Sequence, residues 1–361
     1  MATNARLFYA VQAIGFAPFG ASLPDLPLQP SGFVTAHGVQ NTNLQTTFNL
    51  SPVFELGQLE LYENIEGIPD IQVTAQKVLD GYPLLYHLAT PTAAGASLAA
   101  RSNSRCFMAL NVYPDTQDNA SGTPINAVGL SGLYVSALTY TLNVDGNATE
   151  DLTLVGNDKV WQGAGGYSGF LPDFDGTDEP LSLNATSGGV QRREDVIMGT
   201  TDDESSIWPT VVPGIDVNGH NPAQSDGYAA HIQTVTISAN LGRDQLFELG
   251  KRAPYHRYVT FPTEVTCAIN LTASDGDNVD ALADPSGGSN LSDERIKIRM
   301  RDGTCFDLGA KNKLASVTYN SGNAGTGGGS ATITMNFSNY NKLDVWQRQD
   351  PAGAATDAPA D

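Results

Sequence analysis

The stretch Leu133 to Trp161, LYVSALTYTLNVDGNATEDLTLVGNDKVW, constrains this chain more than any other. Tyr134, Leu138, Tyr140, Leu142 and Val144 recur at even positions, and Ala137, Thr139, Thr141 and Asn143 occupy the odd ones between them. A period of two is that of a strand with one covered and one wet face, and no helix can satisfy it. Asp145-Gly146 supplies a tight reversal, because glycine takes a positive φ without steric cost. Leu152 and Leu154 then repeat the alternation within Asp151 to Val155, so the pair predicts a β-hairpin.

Composition extends this to the whole chain. Glycine occurs 37 times and proline 20 times among 361 residues, which implies frequent turns, and long stretches of 3.6-residue period are absent. The expected class is mainly β, a sandwich or barrel with one or two short helices and a long irregular insertion. The 39 acidic residues against 19 basic give a net charge of −20, the wrong sign for holding nucleic acid by its phosphates. Such a balance suits solubility or repulsion of a polyanion. Cys106, Cys267 and Cys305 match no metal spacing and sit in apolar strand patterns, as buried thiols of a reducing compartment do. Met1 to Gly20 is only mildly apolar and carries Gln12, unlike a secretory signal. The Asn-x-Ser/Thr triplets at Asn119, Asn147, Asn184 and Asn270 then follow from a Thr- and Asn-rich composition.

In chain order, residues 1–50 read as an extended arm or an irregular strand without a core of its own. Phe54 to Glu63 alternates apolar and acidic residues and predicts a half-exposed strand, and Ile71 to Leu79 predicts another. Pro83 opens a short helix over Leu84 to Leu88. In Arg105 to Tyr113 the apolar face is Cys106, Met108, Leu110 and Val112. Residues 162–230 lose periodicity and read as an insertion loop or small appendage, so that 1–161 and 231–350 are two halves of one β core. After the strand containing Val235, Ile237 and Ala239, the apolar stripe Leu246, Phe247 and Leu249 ending at Gly250 predicts a helix over Arg243 to Gly250. Val265, Cys267, Ile269, Leu271 and Ala273 mark the next strand. Ile296 to Met300 and Cys305 to Leu308 form a second hairpin through Asp302-Gly303, and Leu314 to Tyr319 pairs with Ala331 to Phe337. Residues 351–361 lack the apolar bulk to fold.

No catalytic pattern stands on these strands. His37, His87, His220, His231 and His256 share no metal-binding spacing, and no G-x-S-x-G elbow is present. Gly322 to Gly329 lies between strands, where no helix terminus can receive a phosphate. Asp275, Asp277 and Asp280, like Asp173 and Asp175, lack the calcium-loop spacing and read as solvated turn acids. Lys297, Arg299 and Arg301 read as partners for neighbouring carboxylates. The residues thus predict no enzyme, cofactor or metal site.

Four stretches resemble tail tube proteins of tailed bacteriophages: Ile68 to Thr90, Tyr134 to Trp161, Ala239 to Thr272 and Ile296 to Phe337, about half of the chain. Residues 162–230 have no counterpart in that resemblance. It implies a β-sandwich flanked by a short helix, forming homo-hexameric rings whose subunits lend strands to an inner β-barrel. Rings stacked through loops and chain ends would make a virion tail conduit through which DNA passes without specific binding. Tape-measure, baseplate and tail-terminator proteins, and a sheath if the tail contracts, are the implied partners. No membrane is involved, and assembly follows synthesis in the host cytoplasm. DNA carries a charge every ~1.7 Å of axis, so an acidic bore would keep it off the wall. Glu60, Glu63, Glu150 and Asp151 are the candidate lumen acids, the outer surface being their alternative place. Two other classes stay open: another self-assembling virion component, such as a capsid decoration or baseplate protein, and a secreted carbohydrate-binding or adhesin domain.

Overall fold

The computed structural model describes residues 7, 12–18, 33–91, 96–114, 120, 122–163, 189–198, 206–220, 230–251, 254–274, 276–277, 279, 291–322 and 329–347. In chain order these form β1 (Gln12–Pro18), β2 (Val34–Thr35), β3 (Val39–Thr47), β4 (Leu50–Phe54), β5 (Leu61–Glu66), β6 (Asp70–Val78), α1 (Leu85–Ala89), α2 (Leu98–Ser102), β7 (Cys106–Val112), β8 (Asn126–Asn143), β9 (Thr149–Gly156) and β10 (Asp158–Gln162). There follow β11 (Val196–Ile197), β12 (Ile232–Asn240), β13 (Asp244–Leu246), β14 (His256–Tyr258), β15 (Glu264–Thr272), β16 (Lys297–Met300), β17 (Cys305–Asp307), β18 (Lys313–Asn320), β19 (Thr332–Tyr340) and β20 (Asp344–Trp346). The protein is mainly β, as the alternation predicts.

The 18-residue strand β8 belongs to two sheets. Its first part pairs with β7 and β10, and its second with β9 and β12. The change of partner falls at Gly132, whose φ is +62°, between register shifts at Cys106/Met108 and Val135/Ala137. Extra residues in a ladder bend a strand and glycine permits the turn, so one strand carries the chain from one layer into the other. One layer reads β2-β1-β7-β8-β10, the other β18-β19-β15-β12-β8-β9-β6-β3, and every pairing is antiparallel. A four-stranded sheet, β11-β16-β17-β20, closes the core from a third side. Val128 and Leu130 of the first layer, Leu138 and Leu142 of the second and Ile298 of the third share one apolar cluster, within which the Tyr140 and Phe306 rings lie 4.5 Å apart. Burying each such side chain contributes about 1.5–3 kcal/mol.

The second layer turns its other face to solvent. Across neighbouring strands this face runs Asn41, Gln76, Asp151, Thr139, Ser238, Thr266 and Ser338 in one row, and Thr141, Thr236, Ala268, Asn336 and Ser316 in the next. Threonine favours strands by its β-branch, and its hydroxyl pairs across them, as Thr139 Oγ1 donates to Ser238 Oγ at 3.5 Å. In a chain of net charge −20, these two rows carry two charged side chains, Asp151 and, where the first row reaches β18 opposite Ser338, Lys313.

Several expectations give way. Residues 12–18, expected within an extended arm or irregular strand without its own core, form a regular strand: β1 lies along β7 through seven paired positions, and Ala13, Ala17, Phe107 and Ala109 form a second small core. Both faces of β7 are therefore covered. The non-periodic segment 162–230 is not simply a surface loop, since Trp208 and Val212 belong to the main core and β11 pairs with β16. The helix expected over Arg243 to Gly250 is absent: Asp244–Leu246 is a strand paired with His256–Tyr258, and Gly250, at φ +86°, closes a turn. Its apolar stripe has no core to face, so strand pairing satisfies the backbone instead. Of the strand expected over Phe54 to Glu63, Phe54 ends β4 and Leu61 to Glu63 begin β5, and the residues between are the bend of a hairpin. By contrast α1 forms within a residue of its expected place, and Cys106, Cys267 and Cys305 are buried free thiols. Residues 351–361 and most of Gly322 to Gly329 lie outside the described residues.

Candidate assembly surface

The hairpin β4–β5 is a two-stranded sheet by itself. All of its strand residues are exposed, including Leu50, Val53, Phe54, Leu61, Tyr62 and Ile65, and at the bend Leu56 and Leu59 are fully so. Its four charges, Glu55, Glu60, Glu63 and Glu66, are all acidic. A two-stranded ribbon is marginal alone in water, and alternation normally hides one of its faces. Here neither face is hidden. So continuous an apolar surface on one element makes it a candidate contact surface.

The root of the hairpin is firmly held. Gly67 N donates to Asn49 O at 2.5 Å, and Asn49 Nδ2 donates to Ile68 O (2.8 Å) and Asp70 Oδ2 (3.1 Å). Asp70 also accepts from Arg257 Nη2 at 2.9 Å and Gln245 Nε2 at 3.2 Å. Burial pushes the Asp70 carboxyl up, but hydrogen bonds from Asn49, Arg257 and Gln245 outweigh it and hold the group below its usual range. Arg257 is buried and also donates to Asn157 Oδ1. This cluster ties the root to β13–β14, a second hairpin that exposes Phe247, Leu249 and Tyr255 at the same end of the molecule.

A second organised site lies inside. Glu150 is wholly buried, and its carboxylate accepts from Leu85 N (2.6 Å), Tyr86 N (3.0 Å) and Tyr140 Oη (3.1 Å). Leu84 N donates to Gln347 Oε1 at 3.0 Å. The N-terminal donors of α1, which no local cap satisfies, are thus met from distant strands. At the other end Arg101 Nη1 donates to Thr90 O at 2.9 Å, and its guanidinium sits 5.6 Å from the Tyr86 ring centre. Burial pushes Glu150 up to about 7 against the pull of the two backbone donors, the Lys77 charge and the Tyr140 hydroxyl. Burial and the Arg101 charge push His87 down to about 3, although Nε2 donates to Val345 O at 3.1 Å. The Lys77 ammonium, also buried, binds His37 O and Asp80 Oδ1. This is structural chemistry: every polar atom named holds a backbone group or a neighbouring charge.

The four acids singled out from the sequence are therefore separated. Glu60 and Glu63 lie on the exposed hairpin, and Asp151 lies on the hydroxyl-rich wet face, its carboxyl raised by burial despite a hydrogen bond from Gln76. Glu150 faces the core and has no surface to line. Its parity with Leu152 and Leu154 was the sequence signal for this. The Lys297, Arg299 and Arg301 series also divides: Lys297 is buried, whereas Arg301 approaches Asp195 at 3.9 Å. Of the candidate calcium acids only Asp277 is described, and no group of three metal-ligating side chains occurs among the described residues. No helix among them is long and apolar enough to cross a membrane.

Neither the protein-family models nor the curated proteins contain a match to this chain. Among solved structures, the tube-terminating cap of the anti-feeding prophage aligns with 45 % of this chain and 95 % of its own, at 10 % identity and a TM-score of 0.31. That similarity is too low to bear on fold or function.

Proposed function

We propose that this chain is a structural subunit that polymerises with copies of itself, and specifically the tail tube protein of a tailed bacteriophage: hexameric rings stacked into a conduit for DNA ejection, with no catalytic role. One observation carries the self-assembly: a hairpin rooted by a polar cluster exposes apolar side chains on both faces and is completed by nothing among the described residues. The tube assignment is supported by the sequence resemblance over Ile68 to Thr90, Tyr134 to Trp161, Ala239 to Thr272 and Ile296 to Phe337. The wide wet face of the second layer, rich in hydroxyls and amides with Asp151 among them, suits a wall to which a polyanion does not adhere. Sheath, tape-measure, baseplate and terminator contacts would then fall to the remaining outer surface.

Electron microscopy of the purified chain, with sedimentation across a range of concentrations, tests this reading. Hollow tubes or sixfold rings are expected. A chain that stays monomeric at every concentration overturns the proposal, and closed trimers point to another virion component.

A further inference from the structure

The apolar hairpin has a complementary surface at the far end of the same sheet. β6 begins at the hairpin root, where Ile71 pairs with Gly156, and ends where Val78 pairs with Thr149, roughly 23 Å away at the ~3.3 Å rise of a strand. At that far end Val144, Val196, Met198, Trp208 and Ile232 line a small open cleft of about 60 Å³. Its lining carries two charged side chains, Arg192 and Arg193, both exposed. Glu194, 3.9 Å from Arg193, and Asp145 lie in the adjoining depression rather than in the cleft. Trp208 is 1 % exposed, and its indole Nε1 has no acceptor among the described residues.

We propose that this cleft receives the Leu56–Leu59 bend of the β4–β5 hairpin from a second copy of the chain. The match is chemical on both counts. The bend offers two fully exposed leucines flanked by Glu55 and Glu60 and no cation, and the cleft offers an apolar lining rimmed by two arginines. Opposite charges at the rim of an apolar contact set register and partner more than raw affinity. Donor and receptor sit at opposite ends of the same strands, so the contact is head-to-tail and leaves each copy with one hairpin and one cleft free for the next. A heterologous contact of this kind propagates without closing upon itself. The inference rests on the self-assembly reading and adds to it which surfaces meet and in what order.

The test uses two variants altered only at exposed positions. L56S/L59S keeps the cleft and loses the hairpin's apolar bend; R192E/R193E keeps the hairpin and reverses the rim. Each alone is expected to need at least ~tenfold more protein for half-assembly than the wild type. Mixed, they are expected to form a complex of twice the mass of the species each forms alone, growing no further, because one intact hairpin meets one intact cleft. Wild-type assembly by R192E/R193E, or no complex in the mixture, overturns the cleft as receptor while leaving self-assembly intact. A wild type that never assembles instead removes the reading beneath it. Cross-linking gives a second readout: L56C/M198C should give a ladder of multiples on a non-reducing gel. A pattern that stops at dimers in L56C/M198C and L56C alike shows hairpin meeting hairpin and sinks the proposal.

Discussion

The β4–β5 hairpin and the surroundings of α1 invert the usual arrangement in opposite ways. The hairpin places leucines, phenylalanine and isoleucine in water, and the α1 site places a glutamate, a lysine and an arginine where no water reaches. Each is costly unless something completes it. At α1 the completion is internal: Glu150 meets two backbone donors and a tyrosine, Arg101 meets a carbonyl, and Lys77 meets Asp80 and His37. At the hairpin no partner for the apolar surface lies among the described residues. One region thus reports how the chain holds together, and the other carries the proposal that it assembles with further copies.

The contrast can be broken most severely from the inside. Glu150→Ala leaves two amide donors and a hydroxyl buried without acceptors, and should destabilise the chain by about 3–5 kcal/mol, read from the denaturant midpoint. A loss under ~1 kcal/mol would mean that water or another group reaches α1, contrary to its burial.

Next comes the pH dependence. In the folded chain Glu150 binds its proton up to about pH 7 rather than 4.5, so its contribution is complete below 4.5 and is lost as pH rises through 7. His87, held neutral down to about 3 rather than 6.5, works in the reverse sense: stability grows as pH rises from 3 to 6.5. Between 4.5 and 6.5 the two slopes oppose each other. Glu150→Gln removes only the falling one, so relative to wild type its stability should climb by roughly 3 kcal/mol from pH 4.5 to beyond 7. Parallel curves for the two proteins would show that Glu150 titrates normally.

The smallest effect on stability should come from the largest side chains in water. L56S/L59S should leave the unfolding free energy of the unassembled subunit within ~0.5 kcal/mol of wild type, since neither leucine is buried there. A larger loss would place the bend against its own subunit and dissolve the contrast between the two regions.

The sequence declares its strands most clearly where one face is covered and the other wet. β8, β9, β12, β15 and β19 show this, because Leu138, Ile237, Cys267 and Met335 alternate with threonine, serine and asparagine. It is silent where both faces are covered: AIGFA in β1 sends Ile14 and Phe16 into the main core and Ala13 and Ala17 into the second, so no polar residue marks a wet face. It misleads where neither is covered, since the alternation in Phe54 to Glu63 is that of a strand lying on a core, and here there is none. The false helix over Arg243 to Gly250 arose in the same way, from an apolar stripe that stays in solvent.

Composition and periodicity by themselves determined the β class, the alternation of most strands, the short helix after Pro83 and the burial of the three thiols. These depend on neighbours in sequence, where a period of two or a proline leaves a local mark. The tertiary structure alone decided that β8 would serve two sheets, that Trp208 would leave an irregular segment for the core, that Glu150 would cap a helix 65 residues upstream and that the hairpin would stand uncovered. Those outcomes depend on which surfaces compete for the same core, and that competition is settled between residues too distant to leave a pattern in any short stretch of sequence.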